Sequence, residues 1–195
     1  MTASLPPAYF DALYEGNPDP WRFATSAYEA DKYAATLAAL PRQHYASALE
    51  VGCSIGVLTE QLADISTALL AIDVADAALA QARTRTIDHP HVRCARARFP
   101  TELPDDCPAG SFDLILLSEV LYYLDRPMLD VAAITTLTLA APKADIVLVH
   151  WLGPTPDYPL TGDAAAEAFI AALTPAARLG AQMRHPSYRI DVLQR

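Results

Sequence analysis

Positive charge is scarce in this chain. Its 14 Lys and Arg stand against 23 Asp and Glu, for a formal net charge of −9. That balance argues against a nucleic acid or an anionic membrane as partner, since both select basic surfaces. Cysteine is scarcer still: Cys53, Cys94 and Cys107 are odd in number and none stands in C-x-x-C spacing. The pattern speaks against a disulfide framework or a zinc site and fits a reducing compartment. No positively charged stretch followed by an apolar one marks a signal peptide, and no apolar run reaches the roughly 20 residues that span a bilayer. A cytoplasmic location is expected.

A further gap is more telling. The chain has no G-x-G-x-x-G loop, the sequence that aims backbone N–H groups at a diphosphate. What it has instead is Leu49-Glu50-Val51-Gly52-Cys53-Ser54-Ile55-Gly56, a short apolar strand that runs into a turn and then a helix. Gly52 and Gly56 permit a left-handed backbone or a close approach to a ligand. Glu50 would repel phosphate, so the loop suits a ligand with positive charge and no pyrophosphate. S-adenosylmethionine, with its ammonium and sulfonium, is such a ligand. The next apolar run, Ala68 to Ile72, ends in Asp73, about 20 residues after the loop, where an acidic side chain typically accepts from the two hydroxyls of an adenosine ribose. Glu50, Gly52, Cys53, Ser54, Gly56, Asp73 and the adjoining Val74 are therefore candidate cofactor residues.

A length of 195 residues, 52% of them apolar, predicts one domain with a substantial core. A short helix is expected over Ala8–Tyr14, followed by a breaker-rich loop to Pro20. Ser26-Ala27-Tyr28-Glu29 has the form of a capping box, which predicts a helix from Ala27 to Leu40, before Pro41. Helices are further predicted over Leu58–Asp64 and Asp76–Thr86, from Asp125 to about Ala141, and from a cap at Asp163 through Leu173. Leu114–Leu117 reads as a central strand buried on both faces, and Asp145–Val149 as a fifth strand. Arg93, Arg96 and Arg98 punctuate the strand-like stretch His91–Phe99, and charges of this kind blunt a sheet edge. Gly180–His185 and Tyr188–Leu193 are close enough to form an antiparallel hairpin. Ligands bind beyond the carboxyl ends of strands in open α/β sheets, which singles out Ser118, Glu119 and His150-Trp151.

Four segments, Asn17-Pro18-Asp19-Pro20-Trp21, Leu49 to Gly56, Phe112 to Val120 and His150-Trp151, resemble the nodulation protein S family, and the similarity runs from about Tyr9 to about Leu173. Ser54 and Ile55 fill the region where the general methyltransferase loop carries its middle glycine. The resemblance implies an α/β, Rossmann-like methyltransferase fold: a mostly parallel seven-stranded sheet ending in the antiparallel hairpin, with helices on both faces. It implies that residues 1–45 form a helical cap over the cofactor pocket, bringing in Trp21, Ser26 and Tyr28. It also implies that Arg98 and Phe99 hold the adenine, that the cofactor is S-adenosylmethionine, and that S-adenosylhomocysteine is the product. The family's nodulation proteins methylate the free amine of a deacetylated chitooligosaccharide, so an amine on a small-molecule acceptor is the leading expectation.

Methyl transfer from a sulfonium is an in-line displacement that asks chiefly for alignment and exclusion of water, and it needs no metal. An amine attacks as the neutral form, so a proton acceptor helps. His150, with its suitable ordinary pKa, and Glu119 are the candidates for that role. Tyr122, Tyr123, Trp151, Asp157 and Tyr158 are candidates for the acceptor's site, since aromatics cover sugar faces and carboxylates bind hydroxyls. Three readings compete: methyl transfer to a hydroxyl, a non-catalytic module that kept the fold, and a nicotinamide-dependent reductase. The reductase would need the missing phosphate loop and, commonly, a Tyr-x-x-x-Lys pair that is not evident. The sequence leaves the oligomeric state open.

Overall fold

The run Leu114-Ile115-Leu116-Leu117 is apolar without alternation because both of its faces are covered. Ile115 and Leu117 join one core cluster, Leu114 and Leu116 another. In a strand, neighbouring side chains point to opposite faces, so two separate cores on one strand mean helices on both sides of the sheet. A computed structural model describes residues 3–195.

Among the described residues seven strands form one sheet: β1 Ala48–Val51, β2 Leu69–Asp73, β3 Val92–Arg96, β4 Phe112–Ser118, β5 Ala140–Trp151, β6 Arg178–Arg184 and β7 Tyr188–Gln194. Their spatial order is β3-β2-β1-β4-β5-β7-β6. β1 pairs parallel with both β2 and β4, while β7 pairs antiparallel with β5 and β6. The chain reverses direction across the sheet between β1 and β4, and that reversal opens a crevice at the strands' carboxyl ends. This is the Rossmann-like architecture, hairpin included, that the resemblance implied.

Among the described residues six α-helices cover the sheet: α1 Pro7–Gly16, α2 Ala27–Ala38, α3 Val57–Ala63, α4 Asp76–Arg85, α5 Arg126–Leu139 and α6 Gly162–Leu173. Leu129 and Ala133 of α5 and Phe169 of α6 bury against Leu49, Ile115 and Ile146 on one face. Leu58 and Leu62 of α3 and Tyr33 of α2 bury against Leu114, Leu116 and Val147 on the other. Among the described residues no helix is long and apolar enough to cross a membrane.

Several local expectations needed correction. The cap of α6 is Thr161, whose Oγ1 accepts from Ala164 N at 3.2 Å. Asp163 instead takes up Arg184 and Arg189, at 2.6 and 2.8 Å, and these ion pairs hold its carboxyl down to about 2. Only half of the capping box on α2 forms: Glu29 N donates to Ser26 Oγ at 3.4 Å, but the Glu29 side chain turns inward to Lys32. β5 begins at Ala140, straight after α5, and runs on to Trp151, well past Asp145–Val149 at both ends. The extension has a tertiary cause, because the last residues pair with β7, His150 with Arg189 and Trp151 with Tyr188. β3 lies at the sheet edge, and two of its arginines reach outward to acids, Arg93 to Asp106 and Arg96 to Asp76.

Candidate active site

The crevice between the ends of β1 and β4 holds a cavity of about 340 Å³. Its floor is the loop after β1. Gly52 has φ +77°, and a Cβ there would lie 2.2 Å from Val120 Cγ1, so glycine is required by both backbone and space. Ser54, at φ +50°, adopts a left-handed conformation that side chains disfavour. Its N–H donates to Asp73 Oδ2 at 2.9 Å, and Ala75 N donates to Oδ1 at 2.9 Å. Two backbone donors thus fix the Asp73 carboxylate at the end of β2, facing the cavity.

Glu50 faces the α3 side of the sheet and is 2% exposed. Burial pushes its carboxyl up to about 7, against the Thr59 hydroxyl, which donates at 2.6 Å, and with help from the Asp73 charge. Cys53 beside it is buried, which drives its thiol well up. Trp21 and Tyr28 on one side, Val74, Arg98 and Phe99 on another, and Ser118 at the end of β4 complete this half of the wall. Gly56 and Ser26 are not part of it. Gly56 is needed for packing, since a Cβ would sit 2.8 Å from Ala82 Cα where α3 meets α4. Ser26 caps α2.

The other half centres on Glu119, which has φ +57° immediately after β4. Three donors from three parts of the chain converge on its carboxylate: Lys32 Nζ on Oε1 at 2.7 Å, Tyr122 Oη on Oε2 at 2.7 Å and Trp151 N on Oε2 at 2.9 Å. Lys32 is 2% exposed and also contacts Glu29 at 2.9 Å. Burial works to lower the lysine's pKa, but the two carboxylates outweigh it and hold the ammonium above its ordinary value. Glu29 is shifted upward by burial despite Lys32. The nitrogen lies 5.3 Å from the Tyr28 ring centroid, within reach of a cation–π contact.

Tyr122, Tyr123, Tyr158 and Trp151 also line the cavity. Tyr122 stacks on Tyr158 with centroids 5.4 Å apart and planes at 15°, and Phe10 of α1 meets Tyr123 edge-on at 4.9 Å. These rings partly cover one another's faces, so they form a packed apolar wall more than a row of open platforms. Asp157 is exposed on the loop beyond and does not face the cavity.

His150 requires the clearest correction. It lies on the same side of β5 as Ile146 and Leu148, toward α6, where its Cβ would stand 3.2 Å from a Cβ on Gly162. The ring is fully buried, neither nitrogen has a hydrogen-bond partner among the described residues, and burial brings its pKa down to about 4. Since β5 runs on through Trp151, His150 is still inside the sheet and does not reach the cavity.

The nodulation protein S (NodS) family model matches residues 15–149, more than half of the chain. The chain belongs to the nodulation protein S family. Nodulation protein S of Bradyrhizobium diazoefficiens is 40% identical over 134 residues, covering 66% of this chain and 61% of that protein. Nodulation protein S of Sinorhizobium fredii is 36% identical over 138 residues, covering 66% and 59%. The chain therefore spans about 60% of the length of the curated relatives it matches. In three dimensions it is similar to the N-methyltransferase NodS from Bradyrhizobium japonicum WM9 in complex with S-adenosyl-L-homocysteine, with a TM-score of 0.77 and 24% identity over 94% of this chain and 96% of that one. At that identity the likeness is one of fold.

Within this nodulation protein S framework, Glu29, Lys32 and Tyr14 are cavity residues that sequence reasoning did not single out, and Ser4, Leu5, Pro7 and Phe10 join them from the segment expected to cap the pocket. The i,i+3 spacing of Glu29 and Lys32 was a signal for one helix face. Nothing local tied that face to Glu119, 87 residues later.

Proposed function

We propose that the protein transfers a methyl group from S-adenosylmethionine to an amine on a small-molecule acceptor, an aminosugar of the deacetylated chitooligosaccharide kind. The observation that carries this reading is the charge of the cavity. Four carboxyl groups, Glu29, Glu50, Asp73 and Glu119, line it against two cations, Lys32 and Arg98, and Glu50, with a carboxyl near 7, is partly protonated at neutral pH. That excess suits a cationic nucleoside and opposes a diphosphate.

The residues fit the cofactor by count as well as by sign. An ionised carboxylate offers about four acceptor positions, and backbone donors take two of those on Asp73, leaving two for the hydroxyls of a ribose. When bound, S-adenosylmethionine supplies an electrophilic methyl on sulfur. Gly52, Val74, Arg98 and Phe99 line the cavity and would hold the cofactor, with Arg98 and Phe99 on the side of the base. The segment from Leu5 to Tyr28 acts as a cap, because Leu5, Phe10, Trp21 and Tyr28 border the cavity.

Glu119 is the acceptor-binding group. Three donors occupy its oxygens, which leaves one position, on Oε1, for an N–H or O–H of the incoming acceptor. Its unusual φ is the backbone cost of aiming that carboxylate at the cavity. Tyr122, Tyr123, Tyr158 and Trp151 form the apolar flank that confines the acceptor. Alignment of this kind can supply roughly 7–11 kcal/mol of a displacement barrier. His150, buried and outside the cavity, takes no part in the transfer.

Calorimetric titration with S-adenosylhomocysteine, run beside NADH, tests the cofactor. S-adenosylhomocysteine is expected to saturate and NADH to give no heat; the reverse would sink the reading. Methyl-transfer assays over aminosugars, simple amines and hydroxyl compounds test the acceptor. Turnover is expected only with a free amine.

A further inference from the structure

The cofactor loop contains a residue whose backbone and side chain pull in different directions. Ser54 stands in the left-handed region at φ +50°, where glycine is at ease and serine is not. Its N–H bond to Asp73 Oδ2 at 2.9 Å is one that glycine would make equally well. What serine adds is its hydroxyl. That hydroxyl meets the Tyr14 hydroxyl in a hydrogen bond linking the loop to α1, 40 residues earlier.

Tyr14 is placed for this contact. It is 5% exposed, packs with Ile55, Ala75 and Ala78, and meets the Trp21 ring edge-on at 5.8 Å. Both Tyr14 and Ser54 border the main cavity. The α1 region is also anchored by Ser4, whose N–H donates to Asp125 Oδ2 at 3.1 Å and whose Oγ accepts from Asp125 N at 2.9 Å, by Leu5 N to Tyr123 O at 2.9 Å and by Gln81 Nε2 to Pro18 O at 2.8 Å. None of these touches the glycine loop. The Tyr14–Ser54 contact therefore joins the N-terminal wall of the cavity directly to the loop that orients Asp73.

We propose that Ser54 stands at a glycine position because its hydroxyl clamps α1 to the loop, making Tyr14 and Ser54 positioning residues for the cofactor. The clamp acts through Asp73: it fixes the Ser54 N–H that holds Oδ2, and it keeps Trp21 and Phe10 over the cavity. This inference rests on the proposed cofactor reading.

The test separates positioning from mere stability. Ser54→Gly removes both the unfavourable φ and the hydroxyl, so the melting temperature is expected to hold or rise. S-adenosylhomocysteine affinity, measured by calorimetry, is expected to fall about 3- to 10-fold, the size of one net hydrogen bond. Amide exchange over Pro7–Gly16 in the ligand-free protein should speed up in parallel. Tyr14→Phe, which keeps the ring, is expected to lose the same affinity, and the double variant to be no weaker than either single one. A residue with only a structural role would move stability and affinity together. Wild-type affinity and exchange in Ser54→Gly, or losses that multiply in the double variant, would overturn the clamp alone. A wild-type protein that binds no S-adenosylhomocysteine would overturn the cofactor reading with it.

Discussion

Replacing Lys32 with methionine removes one charge and little volume, and the structure sets the size of the effect. Lys32 Nζ lies 2.7 Å from Glu119 and 2.9 Å from Glu29, and the lysine side chain is 3% exposed. Two carboxylate oxygens that share one nitrogen at such distances lie within about 6 Å of each other, where like charges repel. Taking the cation from a buried ion pair leaves charge without compensation, at a cost of about 3–5 kcal/mol. In a chain of this length that corresponds to roughly 6–20 °C in melting temperature.

The pH dependence gives the mechanism its own signature. The Glu29 pKa is already raised in the folded state, chiefly by burial. A raised folded pKa means stability that is present below the unfolded value and lost as pH climbs through the folded one. Without Lys32 the shift grows, so Lys32→Met should lose most stability at about pH 8 and noticeably less at about pH 5. Urea denaturation of wild type and variant at both pH values measures this. Adding Glu29→Gln should recover part of the loss at the higher pH, because it discharges one of the stranded acids. Equal losses at the two pH values, or less than about 1 kcal/mol at the higher one, would refute the charge argument and leave only packing.

Glu50, with a carboxyl near 7, should bind a cationic cofactor more tightly as pH rises through about 7, and Glu50→Gln should flatten that dependence in calorimetric titrations. The sign is opposite for folding, because the raised pKa costs wild type stability over the same interval and spares the glutamine variant. Gly52→Ala should lose about 1–3 kcal/mol through its clash with Val120 Cγ1 and its positive φ. Val120→Ala in the same chain should return the steric share and leave about 1 kcal/mol of backbone strain. His150→Phe replaces two unpartnered ring nitrogens with carbon, so it should retain turnover and lose less stability than wild type as pH falls from about 6.5 to about 4. Loss of turnover in a folded His150→Phe protein would restore the histidine to the mechanism.

What the sequence determined by itself was everything set by short-range rules. The apolar run of β4, the proline-flanked start of α5 and the acid at the end of β2 are each decided by residues within a few positions, and all are as expected. The hairpin of β6 and β7 followed from a three-residue connection. Tertiary structure decided where charges meet. Asp163 looked like a helix cap but found two arginines on the hairpin, and Glu29 looked like half of a capping box but found a buried lysine. His150 seemed to lie past the end of its strand, yet β7 lengthened that strand around it. Glu119 draws its three donors from α2, the turn at Tyr122 and β5, and no spacing in the chain encodes such a meeting. Backbone preferences act over one turn or one strand, whereas the Coulomb field and the exclusion of water act across whatever the fold brings close.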